Sequence, residues 1–405
     1  MFDTIIIGGG ASGLAAAVML KNNNANFKVA VVEQFERVGK KISVTGNGRC
    51  NISNNNIKKS NYHSNSLNKA FEILKDFDAS KTAVFFSSIG VEFTFEGNKA
   101  YPRSFQASSV VDALRFSAAD LGVEIITNTT VLNISKNNNI FNLKTNNKNF
   151  NSKTVIVATG GLAGGSKLGS NGDGYKFLKS LGHKIIDQTP VIVQVKTENT
   201  ITKSLKGIKV NAKVSVLNTN TTIATDSGEV LFCDYGLSGP PILQLSRYAK
   251  KGTEISLDIL SDIEYSDLVN LIIKRKQIFG SVPLTEFFAG LVHKKLGQAV
   301  LKHLGITLSQ NGATLTKKDC INIANTLKNF KFKVLGDTGF VNAQATSGGA
   351  DLKDFDDNLM SQKVCGLFAA GEVLDVDGDC GGFNLQWAWS SANRVSGAVS
   401  NYIQG

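Results

Sequence analysis

The chain opens on an apolar run, Ile5-Ile6-Ile7, that stops at Gly8-Gly9-Gly10-Ala11-Ser12-Gly13. A short β-branched run closed by glycine predicts a strand buried on both faces. Leu14 to Lys21, rich in Ala and Leu, predicts a helix, which Asn22-Asn23-Asn24 breaks. Lys28 to Glu33 predicts a second strand, and the three elements make a βαβ unit. Leu121 to Ile126 and Thr130 to Ile134 also read as strands, as does Thr154 to Val157, which ends in the small residues Ala158-Thr159-Gly160-Gly161. From Val191 to Leu260 the pattern changes to short, nearly alternating segments such as Lys209 to Val216, predicting an antiparallel β domain. From Ile263 to Asn329 it turns helical, including Leu284 to Leu304 and Lys317 to Leu327. Near Lys333 the chain returns to the first pattern. Gly366 to Ala370 predicts a last strand, ending at Gly371-Glu372, and Trp387 to Gly397 predicts a helix entered through Gly381-Gly382.

Composition narrows the class. With 405 residues, 42% apolar and 19% charged, the chain can bury large cores and is not a disordered polymer. Gly is high at 39 and Pro low at 5, which excludes collagen-like and Pro-rich classes. Five cysteines without a C-x-x-C exclude a disulfide scaffold and read as reduced thiols. The first residues hold no basic signal-peptide region, and no stretch suits a membrane helix, so the expected compartment is the cytoplasm. The net charge of +11 admits a nucleic acid, an anionic membrane or an anionic ligand as partner. The basic residues occur at most as short pairs such as Lys40-Lys41, Lys58-Lys59 and Lys250-Lys251, so no polybasic arm is present.

Gly8, Gly10 and Gly13 fit the G-x-G-x-x-G spacing between a strand and a helix. The first glycine permits a tight turn, the second lets a diphosphate approach the backbone, and the third lets helix pack on strand. The helix start, with Ala11 and Ser12, then offers free N–H groups to phosphates. Glu33, with Gln34 beside it, stands 20 residues beyond Gly13, where a carboxylate accepts ribose hydroxyls. The unit therefore predicts dinucleotide binding. The following loop, Gly39 to Asn51, is basic and glycine-rich; Lys40, Lys41 and Arg49 are its candidates for the diphosphate.

Within that loop, Thr45-Gly46-Asn47-Gly48-Arg49-Cys50-Asn51 resembles the signature of the HI0933-like, bile-acid-reductase-like and aminoacetone-oxidase-like NAD(P)/FAD-dependent oxidoreductases. Tyr235 to Pro240 and Gly371 to Ser391 carry two further signatures in the family's order. Asn47 stands where the pattern has Gly, and Ala350 follows Ser347-Gly348-Gly349 where a Val is usual. The resemblance implies an α/β fold: a Rossmann-like FAD-binding domain of the two-dinucleotide-fold type, residues 1–190 and 333–405, with an inserted β-rich domain, 191–262, and a helical subdomain, 263–332. It implies that Val131 presents its backbone to adenine, a plain core valine being the other reading. It places Ala158, Thr159 and Gly160 where a cofactor passes a strand end. Gly371, Glu372 and Asp375 would serve the ribityl and phosphate portion. Gly382, Asn384, Leu385 and Gln386 would aim helix N–H groups at the flavin, where reduction builds negative charge.

FAD is thus the expected cofactor. The glycine-rich Gly160 to Gly174 segment lacks a following strand and acid, so it is no second nucleotide fingerprint, and NAD(P)H is expected only as a transient reductant. The resemblance also places Thr45, Gly46, Asn47, Gly48, Arg49, Cys50 and Asn51 at the cofactor, the Cys50 thiol itself reading as structural or bystander. The four histidines form no ligand cluster, so no metal is expected. The expected activity is hydride transfer between NAD(P)H and a small organic substrate. An RNA-modifying flavoprotein and a non-catalytic flavin redox sensor stand as alternatives. The residues name neither a catalytic acid or base, nor the substrate, nor an oligomeric state.

Overall fold

The computed structural model describes residues 1–405, the side chain of Asn199 apart. The chain divides into two units, one of residues 1–190 and 340–405, the other of residues 191–339.

The first unit is built on a seven-stranded sheet. Its strands are β1 (Phe2–Ile7), β2 (Val29–Val32), β3 (Glu124–Ile126), β4 (Val131–Asn137), β5 (Ile140–Thr145), β6 (Phe150–Val157) and β7 (Leu367–Ala369). Their order is β3-β2-β1-β6-β5-β4, with β7 also paired to β6. β1 runs parallel to β2 and β6, and β6 runs parallel to β7. These are the apolar runs of the sequence, buried because helices cover the parallel part. Helix α1 (Ala11–Asn23) follows β1 directly, and Ser12 to Lys21 are all buried in it. A helix apolar all round has no solvent face. Its one buried cation, Lys21, caps the end by donating to the carbonyls of Ala25 and Phe27. The C-terminal helix, Phe383–Gln404, packs on α1. Trp389 is fully buried in it, donates its indole N–H to the Ile52 carbonyl at 3.0 Å, and meets the Phe86 ring edge-on.

The second unit is a closed six-stranded barrel, in the order Val195–Thr197, Gly236–Ser238, Thr221–Cys233, Lys209–Asn218, Glu254–Asp258 and Phe330–Asp337. Three expectations change here. Phe330–Asp337 closes the barrel against Val195–Thr197, so the chain rejoins the first unit at Phe340 and not near Lys333. The helices Tyr265–Ile278, Lys294–His303 and Lys317–Lys328 share one apolar core with the barrel, because their buried Leu268, Val300 and Ile323 lie in the same cluster as Phe330 and Phe332. The expected helix from Leu284 begins only at Lys294. Gly290 takes a left-handed φ of 74°, and the His293 side chain caps the helix start.

Among the described residues, no helix is long and apolar enough to cross a membrane.

Candidate cofactor site

A cleft opens at the carboxyl ends of β1, β2 and β6, where Ile7, Val32 and Ala158 line it. This is where open parallel sheets place ligands. The three fingerprint glycines do different things. Gly8 turns with φ 105°, and a Cβ on it would stand 2.6 Å from the Ala158 carbonyl oxygen. A Cβ on Gly13 would stand 2.0 Å from the Gly8 carbonyl oxygen, so Gly13 sets the approach of α1 to the turn. A Cβ on Gly10 would meet no atom within 4 Å; the space it would enter borders the cleft. Ala11 and Ser12 line the cleft at the first turn of α1, where N–H groups have no intrahelical acceptor.

Glu33 directly follows β2 with both carboxylate oxygens engaged: Oε2 accepts the Gly9 N–H at 2.9 Å and Oε1 the Phe35 N–H at 3.0 Å. It is thereby held at the cleft wall beside Gln34, Lys40 and Val131. The Lys40 ammonium lies 3.8 Å from the Phe35 ring centroid. Thr159, Gly160 and Glu372 also line the cleft. Thr45 lines it as well, together with Asn384, Leu385 and Ala388 of the C-terminal helix. That helix begins behind Gly382, and its first intrahelical bond is from the Gln386 N–H to the Gly382 carbonyl. The Asn384 side chain is occupied, bonding both the N–H and the carbonyl of Gly378, so the turn meets the cleft with its backbone.

Several expected contacts lie elsewhere. Arg49 does not reach the cleft; it forks onto Glu96 at 3.0 Å and stacks on Tyr101. Gly46, Asn47 and Gly48 form the turn that holds it there, all at positive φ. Asn47, at 56°, adopts the left-handed conformation that Asn tolerates, so replacing the usual Gly preserves the turn. Asn51 braces the C-terminal helix: its side-chain amide, in the orientation that satisfies both ends, donates to the Ser53 carbonyl and accepts from the Gly382 N–H. Gln386 is fully buried among Ser53, Thr82, Phe77 and Ser390, and Asp375 accepts the Asn65 N–H. Gly371 packs on Ser12 behind the wall. These residues shape the cleft without lining it.

Cys50 is fully buried, and burial pushes its thiol up to about 12. A thiol so protonated is a poor nucleophile. Iodoacetamide at pH 8 should therefore label exposed Cys365 in the native protein and leave Cys50 unlabelled, as read by peptide mass spectrometry. Among the described residues, no three His, Cys, Asp or Glu side chains converge as a metal site.

Sequence reasoning missed one wall. Leu168, Gly169, Ser170, Asn171 and Asp173, from the glycine-rich segment set aside as no second fingerprint, line the cleft. Gln34 fastens them: its Nε2 donates to the Gly169 carbonyl at 3.0 Å, and its Oε1 accepts from Asn171 at 3.2 Å. The signal was the glycine density itself, which marks close backbone approach whether or not a fingerprint is present. Gly39, Thr129, Thr130 and Gln344 were also missed.

The arrangement fits a dinucleotide: room beside Gly10, the first turn of α1 at the cleft, and a fixed carboxylate at Glu33. The family model of the HI0933-like protein Rossmann domain matches residues 2–398. The chain belongs to the HI0933-like family. It has the fold of FAD-dependent flavoprotein oxidoreductases and is an oxidoreductase of this FAD-binding family. A 3-dehydro-bile acid delta(4,6)-reductase of Clostridium scindens is 34% identical over 402 residues, 98% of each chain. A ribosomal RNA dihydrouridine synthase of Escherichia coli is 28% identical over 396 residues, 96% of each. Among solved structures, the open form of a flavocytochrome c3 fumarate reductase is similar at TM-score 0.55 and 14% identity, over 100% of this chain and 79% of the other. That last likeness speaks for the fold of this HI0933-like protein alone.

Proposed function

We propose that this protein is a FAD-dependent reductase that passes hydride from NAD(P)H to a carbon–carbon double bond conjugated to a carbonyl in a small organic molecule. The observation that carries the cofactor half is the Gly10 position at the start of α1, where an added Cβ would meet no atom within 4 Å while Gly8 and Gly13 are pressed against backbone. The substrate half draws support from the bile-acid reductase likeness along the whole chain.

Bound FAD would supply the two-electron carrier between donor and substrate. The chain's own residues do the rest. Glu33 accepts hydroxyls of the adenosine ribose. The first turn of α1 and the backbone around Gly10 receive the diphosphate. Val131, Ala158, Thr159 and Gly160 border its path. The N-terminus of the C-terminal helix, through Asn384 and Leu385, places partial positive charge where reduction creates negative charge. NAD(P)H is proposed to dock transiently, and the five cysteines suit a reducing compartment such as the cytoplasm.

A second reading, reduction of a base in RNA, has one observation in its favour: relatives named ribosomal RNA dihydrouridine synthase match 96% and 98% of this chain. Both readings saturate a polarised double bond, so one experiment separates them. Purified protein should show flavin absorbance that NADH or NADPH bleaches without oxygen. An unsaturated 3-oxo-steroid should restore the colour and uridine-bearing RNA should not. Restoration by RNA alone selects the second reading, and colourless protein that takes up no FAD defeats both.

The ribose role of Glu33 has its own check. Glu33→Ala should weaken FAD binding by about 1–3 kcal/mol, the range for hydrogen bonds to a charged group. Titration of the apoprotein measures it, and undiminished affinity would remove Glu33 from the ribose.

A further inference from the structure

Three acids line the cleft, Glu33, Asp173 and Glu372, against two lysines, Lys40 and Lys41. A diphosphate brings more negative charge, so how each acid is neutralised decides whether it can enter. Glu33 is held by two N–H groups. Asp173 has Lys176 at 2.8 Å. Glu372 stands close to the first turn of α1, because Gly371 before it packs on Ser12, where an added Cβ would stand 2.4 Å from the hydroxyl oxygen. Its Oε1 accepts the Thr346 N–H at 2.7 Å, and Oε2 accepts the Lys41 ammonium at 2.6 Å. Thr346 is fixed in turn, its hydroxyl oxygen accepting the N–H groups of Leu162 and Ala163 at 2.9 Å each. The Lys40 ammonium lies instead over the Phe35 ring.

We infer that Lys41 is a positioning residue. It cancels the charge of Glu372 and holds that carboxylate on the Thr346 side, so that the diphosphate of the cofactor can sit at the start of α1 without meeting a bare anion. This rests on the FAD reading. The ion pair is mostly shielded, with the two side chains 26% and 19% exposed, so solvent screens it weakly. Direct attraction between Lys41 and the diphosphate is the rival explanation, and a double substitution tells the two apart.

Flavin is removed and FAD affinity is read from quenching of flavin fluorescence, with the melting temperature of each apoprotein as the folding control. K41M should bind FAD about 10- to 100-fold more weakly, the size of one lost charged partner. K41R should stay within about threefold of the parent, since the charge remains. E372Q keeps an oxygen for Thr346 and needs no cation, so K41M/E372Q should bind at least about fivefold more tightly than K41M. Additive losses in the double variant, or unchanged affinity in K41M, would overturn the inference while leaving the FAD site standing. A parent protein with no FAD affinity would overturn the cofactor reading instead. If K41M does not fold, K41Q alone and combined with E372Q serves the same comparison.

Discussion

Gly13→Ala should destabilise the first unit by about 3 kcal/mol or more and lower its melting temperature by roughly 6–12 °C. The added methyl carbon would lie 2.0 Å from the Gly8 carbonyl oxygen and 3.3 Å from Ile6 Cγ2. Overpacking usually costs 1–3 kcal/mol because a side chain can swing away. Here the opposing atom is backbone, and it belongs to a turn already pressed on Ala158. Relief requires α1 to move off β1, and α1 is buried on all sides and packed on the C-terminal helix. Thermal unfolding of the apoprotein followed by circular dichroism measures the loss. An unchanged melting temperature would show that α1 does not approach the turn this closely.

Gly10→Val should do the opposite: fold normally and bind no FAD. Gly10 sits at φ −85°, a conformation open to any residue, and its Cβ would meet nothing within 4 Å. The two valine methyls would therefore occupy the cleft at no cost to the protein's own packing. The apoprotein should melt within about 1 °C of the parent, since a 1 kcal/mol change shifts a domain of this size by only a few degrees. The purified variant should be colourless and stay so after incubation with FAD. Retained flavin would move the diphosphate away from this turn. Gly13 and Gly10 stand three residues apart in one motif, and the measurements separate a packing role from a binding role.

That separation shows how much of the site was legible in the chain. The spacing of Gly8, Gly10 and Gly13 and the place of Glu33 are local, written within one βαβ unit, and they lead directly to the cleft. The loop after it was less legible. Arg49, Cys50 and Asn51 are near neighbours in sequence, yet Arg49 turns out to Glu96, Cys50 is sealed in the core, and Asn51 braces the C-terminal helix. A basic side chain in a glycine-rich loop reads as a phosphate ligand until its nearest carboxylate is known, and Glu96 is 47 residues away. Gln386 misled for the same reason: its partners Ser53, Thr82 and Phe77 come from distant segments.

Periodicity and turn chemistry, set by neighbours in sequence, determined the strands of the parallel sheet, the helix after the fingerprint, the antiparallel character of the second unit and the expectation of a dinucleotide, while the flavin was implied only by the family resemblance. Pairings between segments far apart in the chain decided the remainder: the strand at Phe330–Asp337 that completes the barrel, the Gln34 tie to Gly169 and the contact of Lys41 with Glu372. A local pattern records which face of an element avoids water. It does not record which distant charge or carbonyl will stand opposite, because that is chosen only when the whole chain has packed.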